Sequence, residues 1–217
     1  MGTWMKAAAV VACGLALCGC KTQITTQVNL SDLDDPEALE APGKVRLEVS
    51  SCADYQDSRQ PSDSLVKAQE MLPRIFPAAE YRECYRQEMN SWAEFDLPVA
   101  IDHTSGDGPT SEDTINLASS EGYPLSLYVP EALSQRLEEA KRSNPMMGSL
   151  DMSVRIEVNN DTEQARSVQV FGAWVDGAPY VLGQIELEPG AEHAFYLSDV
   201  SIDQAMKHQY AAVLKAP

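Results

Sequence analysis

The stretch Met152-Ser153-Val154-Arg155-Ile156-Glu157-Val158 alternates apolar and polar side chains without a break. Successive side chains of an extended chain point to opposite faces, so Met152, Val154, Ile156 and Val158 share one face and Ser153, Arg155 and Glu157 the other. That is a half-buried strand. The chain beyond it repeats the theme: Asn159-Asn160-Asp161 turns it, and further strands are expected over Val168 to Val175, Tyr180 to Leu187 and His193 to Leu197. Asp176-Gly177 and Glu188-Pro189-Gly190 separate them. Pro189-Gly190 suits the two central positions of a type II turn, because Pro fixes φ and Gly accepts the positive φ that follows. Ser201 with Gln204 has the spacing of a capping box opening a short helix, and Tyr210 to Leu214 reads as a last edge strand. Apolar residues fall on both faces of Phe171 to Val175, which predicts burial on both sides rather than a docking face.

Working outward toward the N-terminus, Pro124 to Val129 reads as a strand, and Pro130 suits the first position of a helix over 130–143 with Leu133, Leu137 and Ala140 on one face. Before it, residues 102–122 are rich in Gly, Ser, Thr, Asp and Pro and read as a flexible loop or linker. Upstream, Ile24, Thr26, Val28 and Leu30 alternate as a first strand, Ser31 to Gly43 is a turn-rich connection, and Val45, Leu47 and Val49 mark a second strand running into Cys52. A helix over about 63–72 is expected, with N-caps among Ser62, Asp63 and Ser64 and a stop at Pro73. Glu80 to Glu88 and Trp92 to Ile101, the latter interrupted by Pro98, complete this half as strands. The expected fold class is α+β. A small antiparallel sheet with one helix occupies 20–101, and a β-rich, sandwich-like half with short helices occupies 123–217.

The chain carries 16 basic and 33 acidic residues, a formal net charge of −17. Phosphate binding needs a basic patch, so nucleic acid is not an expected partner. The acid is scattered, with Asp32-Leu33-Asp34-Asp35 its densest run, and reads as a solvated surface. The histidines His103, His193 and His208 lie in unrelated segments, and no nucleophile elbow, P-loop, dinucleotide fingerprint or paired-histidine motif occurs. Asp102, His103 and Asp107 lack the spacing of a metal site, so that stretch reads as a polar loop and no metal or cofactor is expected.

The N-terminus has a different character. Lys6 precedes an apolar run from Ala7 to Leu17 that closes in Cys18 and Gly19. This is the layout of a secretory signal peptide over 1–19, and it is short of the roughly 20 apolar residues that span a bilayer. Leu17, Gly19 and Cys20 resemble the lipobox of bacterial lipoproteins, with a small residue before the cut and the modified Cys after it. The resemblance implies cleavage between Gly19 and Cys20 and acylation of the Cys20 sulfur. More than one acyl chain is needed for stable anchoring, a condition the lipoprotein modification meets. The membrane is therefore an expected partner through those chains. Lys21 follows where Asp would mark inner-membrane retention, so the resemblance implies the outer membrane, facing the periplasm or the cell surface. The opening Cys20 to Val28 with Leu30-Ser31-Asp32-Leu33 is similar to small lipoproteins of Gram-negative bacteria and of phages or prophages, and this likeness implies no site.

With Cys13 and Cys18 removed and Cys20 acylated, Cys52 and Cys84 are left as a pair. In an oxidising envelope such a pair reads as a disulfide closing a loop of about 33 residues, and neither Cys sits in a Cys-x-x-Cys arrangement. The function expected is a non-enzymatic envelope lipoprotein presenting a surface to another envelope protein. A sharper alternative is surface exclusion of phage or plasmid entry. A cell-wall hydrolase or other envelope enzyme is the alternative from another class, and it requires converging carboxylates or a Ser/His pair.

Overall fold

A computed structural model describes residues 21–37, 40–103, 111–143 and 151–217. The expected leader, the residues Gly19 and Cys20 expected to flank its cleavage, and Asp107 lie outside the described residues.

The first half contains β1 (Lys21–Asn29), α1 (Leu30–Asp34), β2 (Glu40–Ala41), β3 (Gly43–Val49), α2 (Asp63–Ile75), β4 (Glu80–Gln87), β5 (Asn90–Asp96) and β6 (Val99–Asp102). The second contains β7 (Asn116–Ala118), β8 (Leu125–Tyr128), α3 (Glu131–Ser143), β9 (Asp151–Asn159), β10 (Arg166–Val175), β11 (Ala178–Leu187), β12 (Glu192–Leu197), α4 (Asp199–His208) and β13 (Tyr210–Lys215). The alternation of β1 and β9 is realised directly: Ile24, Thr26 and Val28 are buried beside Val154, Ile156 and Val158, and the intervening side chains face out.

An α+β class holds, but the small sheet does not. All thirteen strands belong to one mixed sheet whose hydrogen-bonded order is β2-β6-β7-β8-β13-β10-β12-β9-β1-β3-β5-β4, with β11 on β10. The two halves are joined by β1, which pairs antiparallel with β3 and parallel with β9. Parallel pairing needs a long crossover, here most of the intervening chain. The path also returns to itself. Only Pro42 separates β2 from β3, and only Leu97 and Pro98 separate β5 from β6, while β3 pairs β5 and β2 pairs β6. Two neighbouring strands thus bend together at prolines and carry the sheet round a corner, as in sandwiches whose strands switch layers.

Gly43 is required at that corner, because a Cβ there would lie 2.6 Å from the Leu97 carbonyl oxygen and 2.8 Å from Val99 Cγ2. A single apolar cluster fills the interior and draws on both halves, among them Val45, Phe95, Leu117, Leu127, Ile156, Phe195 and Leu214. Each such side chain contributes about 1.5–3 kcal/mol of burial.

Several local expectations change. Residues 114–117, placed in the loop or linker, are buried, and 116–118 form β7 between β6 and β8; residues 104–110 lie outside the described residues. Leu30 opens α1 instead of extending β1, and buries with Leu33. Pro73 does not stop α2. The bond it forfeits lies near the helix end, and burial of Leu72, Ile75 and Phe76 holds the last turn. The cap of α4 is Ser198, whose hydroxyl accepts from the Ser201 amide, rather than Ser201 itself. The strand β13 is interior, between β8 and β10. Arg136 of α3 donates from Nε to the Ile75 carbonyl at 2.8 Å, tying α3 to the C-terminal end of α2.

Candidate interaction surface

The open edges of the sheet decide where another molecule could be received, because an edge strand presents unpaired backbone groups. Two long strands have one neighbour each among the described residues: β4 pairs only β5, and β11 pairs only β10. Their chemistry differs sharply.

The β4 edge is blunted. Its residues Glu80, Arg82, Glu83 and Arg86 are charged and exposed, and a register shift between Tyr81 and Glu83 breaks the ladder. Arg82 is ion-paired with Asp96 at 2.9 Å, and the Asp96 carboxylate raises its pKa. The Cys52–Cys84 disulfide, with Cα atoms 5.6 Å apart, staples this strand to the segment after β3. Charge, a bulge and a crosslink are devices that keep an edge from pairing.

The β11 edge has no crosslink and no register shift, and its guards stand at its two ends, Pro179 beside the turn and Glu186 at the far end. Val181 is 90% exposed and Leu182 64%, and Trp174 opposite Pro179 is 44% exposed. Burial of Phe171 to Val175 on both faces is therefore not what forms: Ala173 and Val175 are buried, while Trp174 faces outward. Trp174 shares its face with Pro179 and Val181 of the neighbouring strand, which are exposed as well, so this face of the ribbon is uncovered. Trp174 continues inward as a row across the sheet, with Tyr196 opposite it and Arg155 opposite Tyr196. The Arg155 guanidinium lies 5.0 Å from the Tyr196 ring centroid and is paired with Glu157 at 2.6 Å.

The hairpin is held firmly at its tip. Asp176 and Gly177 both have positive φ, 51° and 85°, as a two-residue turn matched to strand twist requires. The Asp176 carboxylate accepts the Ala194 amide at 2.9 Å and contacts His193 Nδ1 at 2.7 Å. Burial pushes the Asp176 carboxyl up, but the Ala194 amide and the His193 ring outweigh it and hold the group below the usual range. Gly172, at φ 52°, breaks the alternation of β10, and its carbonyl accepts the Ser198 amide and the Ser201 hydroxyl. The apolar residues therefore sit on an anchored ribbon.

The structure places the histidines apart: His103 follows β6, His193 lies in β12, and His208 ends α4. Among the described residues no group of three His, Cys, Asp or Glu residues could hold a metal ion. Two clefts exist. One of about 560 Å³ is lined by Leu33, Ser119 and the Arg166–Asp34 ion pair, and one of about 540 Å³ lies between α3 and α4. No helix of the described chain is long and apolar enough to cross a membrane.

The fold and surface together define a mostly β domain with one blunted edge and one open edge. Residues 22–217 match the model of a domain of unknown function, DUF7424, and the chain belongs to that family. Comparison with curated proteins and with solved structures gave no match.

Proposed function

We propose that this chain is a non-enzymatic lipoprotein of the bacterial envelope, held by acyl chains on Cys20, that presents the β10–β11 ribbon to another envelope protein. The observation that carries the reading is the exposure of Val181, Leu182 and Trp174 on the less guarded of the two long edges. Scattered exposed apolar residues are ordinary, but a group of them on one anchored ribbon marks an interaction site. For the anchor, the support is the lipobox-like Leu17, Gly19 and Cys20, together with the start of the family match at Thr22. The matched stretch begins two residues after Cys20, so removal of a leader ending at Gly19 would leave it whole.

The test is a crosslinked pull-down from envelopes of cells making the native protein, Cys20→Ala, or the pair Trp174→Ser and Leu182→Ser. The expected result is one envelope protein recovered with the native form, lost with the surface pair, and reduced with Cys20→Ala. Mass spectrometry of the native form should find Cys20 acylated and N-terminal. Recovery that ignores the surface pair, or an unmodified Cys20 in a soluble protein, would overturn the corresponding half of the reading.

A further inference from the structure

We infer that the β11 edge receives a partner by strand addition, and that the partner segment is extended, basic and apolar. The inference rests on the reading of β10–β11 as the interaction surface and adds how it binds and what it binds.

The backbone argument begins at the turn. In a two-residue hairpin the flanking residues, here Val175 and Ala178, form a doubly hydrogen-bonded pair, and pairing then alternates along the ladder. Counted from that pair, Pro179, Val181, Gly183 and Ile185 direct their backbone groups away from β10. Pro179 is consistent with this, since Pro in a sheet is confined to sites whose missing N–H faces the open edge. Val181, Gly183 and Ile185 are left as three successive residues able to donate and accept along the edge. Gly183 is covered on one face by the Tyr180 ring, which a Cβ would meet at 2.4 Å, so the edge is smooth there without being bare.

The charge argument names the occupant. From Ser167 to Met206 the chain contains no Lys or Arg, although edges are commonly guarded by Lys. The acidic residues Asp176, Glu186, Glu188 and Glu192 lie along the ribbon and at its ends; of the cations near it, Arg166 at the start of β10 is paired with Asp34, Arg155 on β9 is paired with Glu157, and Lys215 lies across β10 from the open edge, opposite Gln169. A strand with Lys or Arg between β-branched or aromatic residues complements this edge. A second copy of the chain would bring a second net charge of −17 against it. Main-chain bonds would supply affinity, and Leu182 and Trp174 would select the side chains, as in other sheet-edge recognition.

The experiment is selection from a random twelve-residue peptide library on the mature body, residues 20–217 with Cys20→Ala, followed by amide exchange on the complex with the best peptide. Expected are peptides in which Lys or Arg alternates with β-branched or aromatic residues, protection of the Val181, Gly183 and Ile185 amides, and at least tenfold weaker binding to Val181→Pro. The exchange readout on the unsubstituted body keeps the test valid if Val181→Pro folds poorly. Acidic or unpatterned peptides, protection elsewhere, or concentration-dependent dimerisation through β11 would each overturn the inference. A pull-down lost with the Trp174 and Leu182 exchanges but kept with Val181→Pro would leave the surface standing and remove strand addition.

Discussion

Replacing Gly43 by Ala tests whether the sheet turns its corner as described. The added Cβ would lie 2.6 Å from the Leu97 carbonyl oxygen, 2.8 Å from Val99 Cγ2 and 3.3 Å from the Thr25 carbonyl oxygen. Two of these neighbours are backbone, and Leu97 is fixed through its own amide, which donates to the Gly43 carbonyl at 2.9 Å. A methyl group normally stands about 3.5–4.0 Å from its carbon neighbours, so the two bent strands must part by several tenths of an ångström. Overpacking of this kind costs about 1–3 kcal/mol, and backbone on two sides places Gly43→Ala near the upper value. For a chain of this size that is a fall in Tm of about 5–10 °C. Urea and thermal unfolding of the Cys20→Ala body would measure it. Gly122→Ala is the control, because nothing lies within 4 Å of its added Cβ; it should be neutral or stabilising by about 0.4–1 kcal/mol. A Gly43→Ala protein within about 0.5 kcal/mol of the parent, indistinguishable from a surface change, would refute the corner.

Two further outcomes concern crosslink and charge. Exchanging Cys52 and Cys84 for Ala should cost about 3–4 kcal/mol on the chain-entropy argument for a loop of this length, read from urea midpoints, while two alkylatable thiols in the unreduced mature protein would count against the bridge. Asp161 accepts from the Ser31 hydroxyl and, at 3.0 Å, from the Ser31 amide; the hydroxyl is the larger cause of a carboxyl held below the usual range, with burial opposing. A depressed folded pKa gives stabilisation that is complete above the unfolded value of about 3.9 and is lost as pH falls through the folded one. Unfolding midpoints followed downward from pH 6 should therefore drop less steeply below pH about 4 in Asp161→Asn than in the parent.

Side chains that repeat with the period of their own element were legible in the sequence. Ile24 to Val28, Val45 to Val49 and Met152 to Val158 each declare a strand, and Leu133 with Leu137 declares a helix face, because the period alone sorts inward from outward. What stayed hidden depends on partners far along the chain. Leu117 is buried in a three-residue strand too short to show a period, amid polar residues that satisfy one another: Asn116, itself buried, donates to the Ser111 carbonyl at 2.9 Å. The pairing of β1 with β9 leaves no local mark. Asn160 looked like an ordinary turn residue, yet it is buried and donates to the Gln164 and Leu187 carbonyls, joining two turns. Trp174 departs from the expected burial for the same reason. Two apolar faces announce a need for cover, and the local sequence does not say whether the cover is in the same molecule. The continuous Tyr180-Val181-Leu182, followed by Gly183 and lacking any charge, was the available signal.

Placement of the first strand bears on how such a surface would work. Lys21 is already paired with Asp151 in the ladder, so the residue next to the proposed site of acylation is tied into the sheet, with almost no tether between them. The same strand is flanked by β3 and β9 in the middle of the sheet, where it is among the hardest elements to detach. Lipid on Cys20 would then fix the orientation of the whole body against the membrane, whereas a long linker would let it tumble. The β11 ribbon is the opposite case. It has one neighbour and large exposed apolar side chains, but its turn is fastened to β12 through Asp176. A ribbon held rigidly on a body held rigidly loses little freedom on docking, so a short segment of backbone pairing can suffice for recognition.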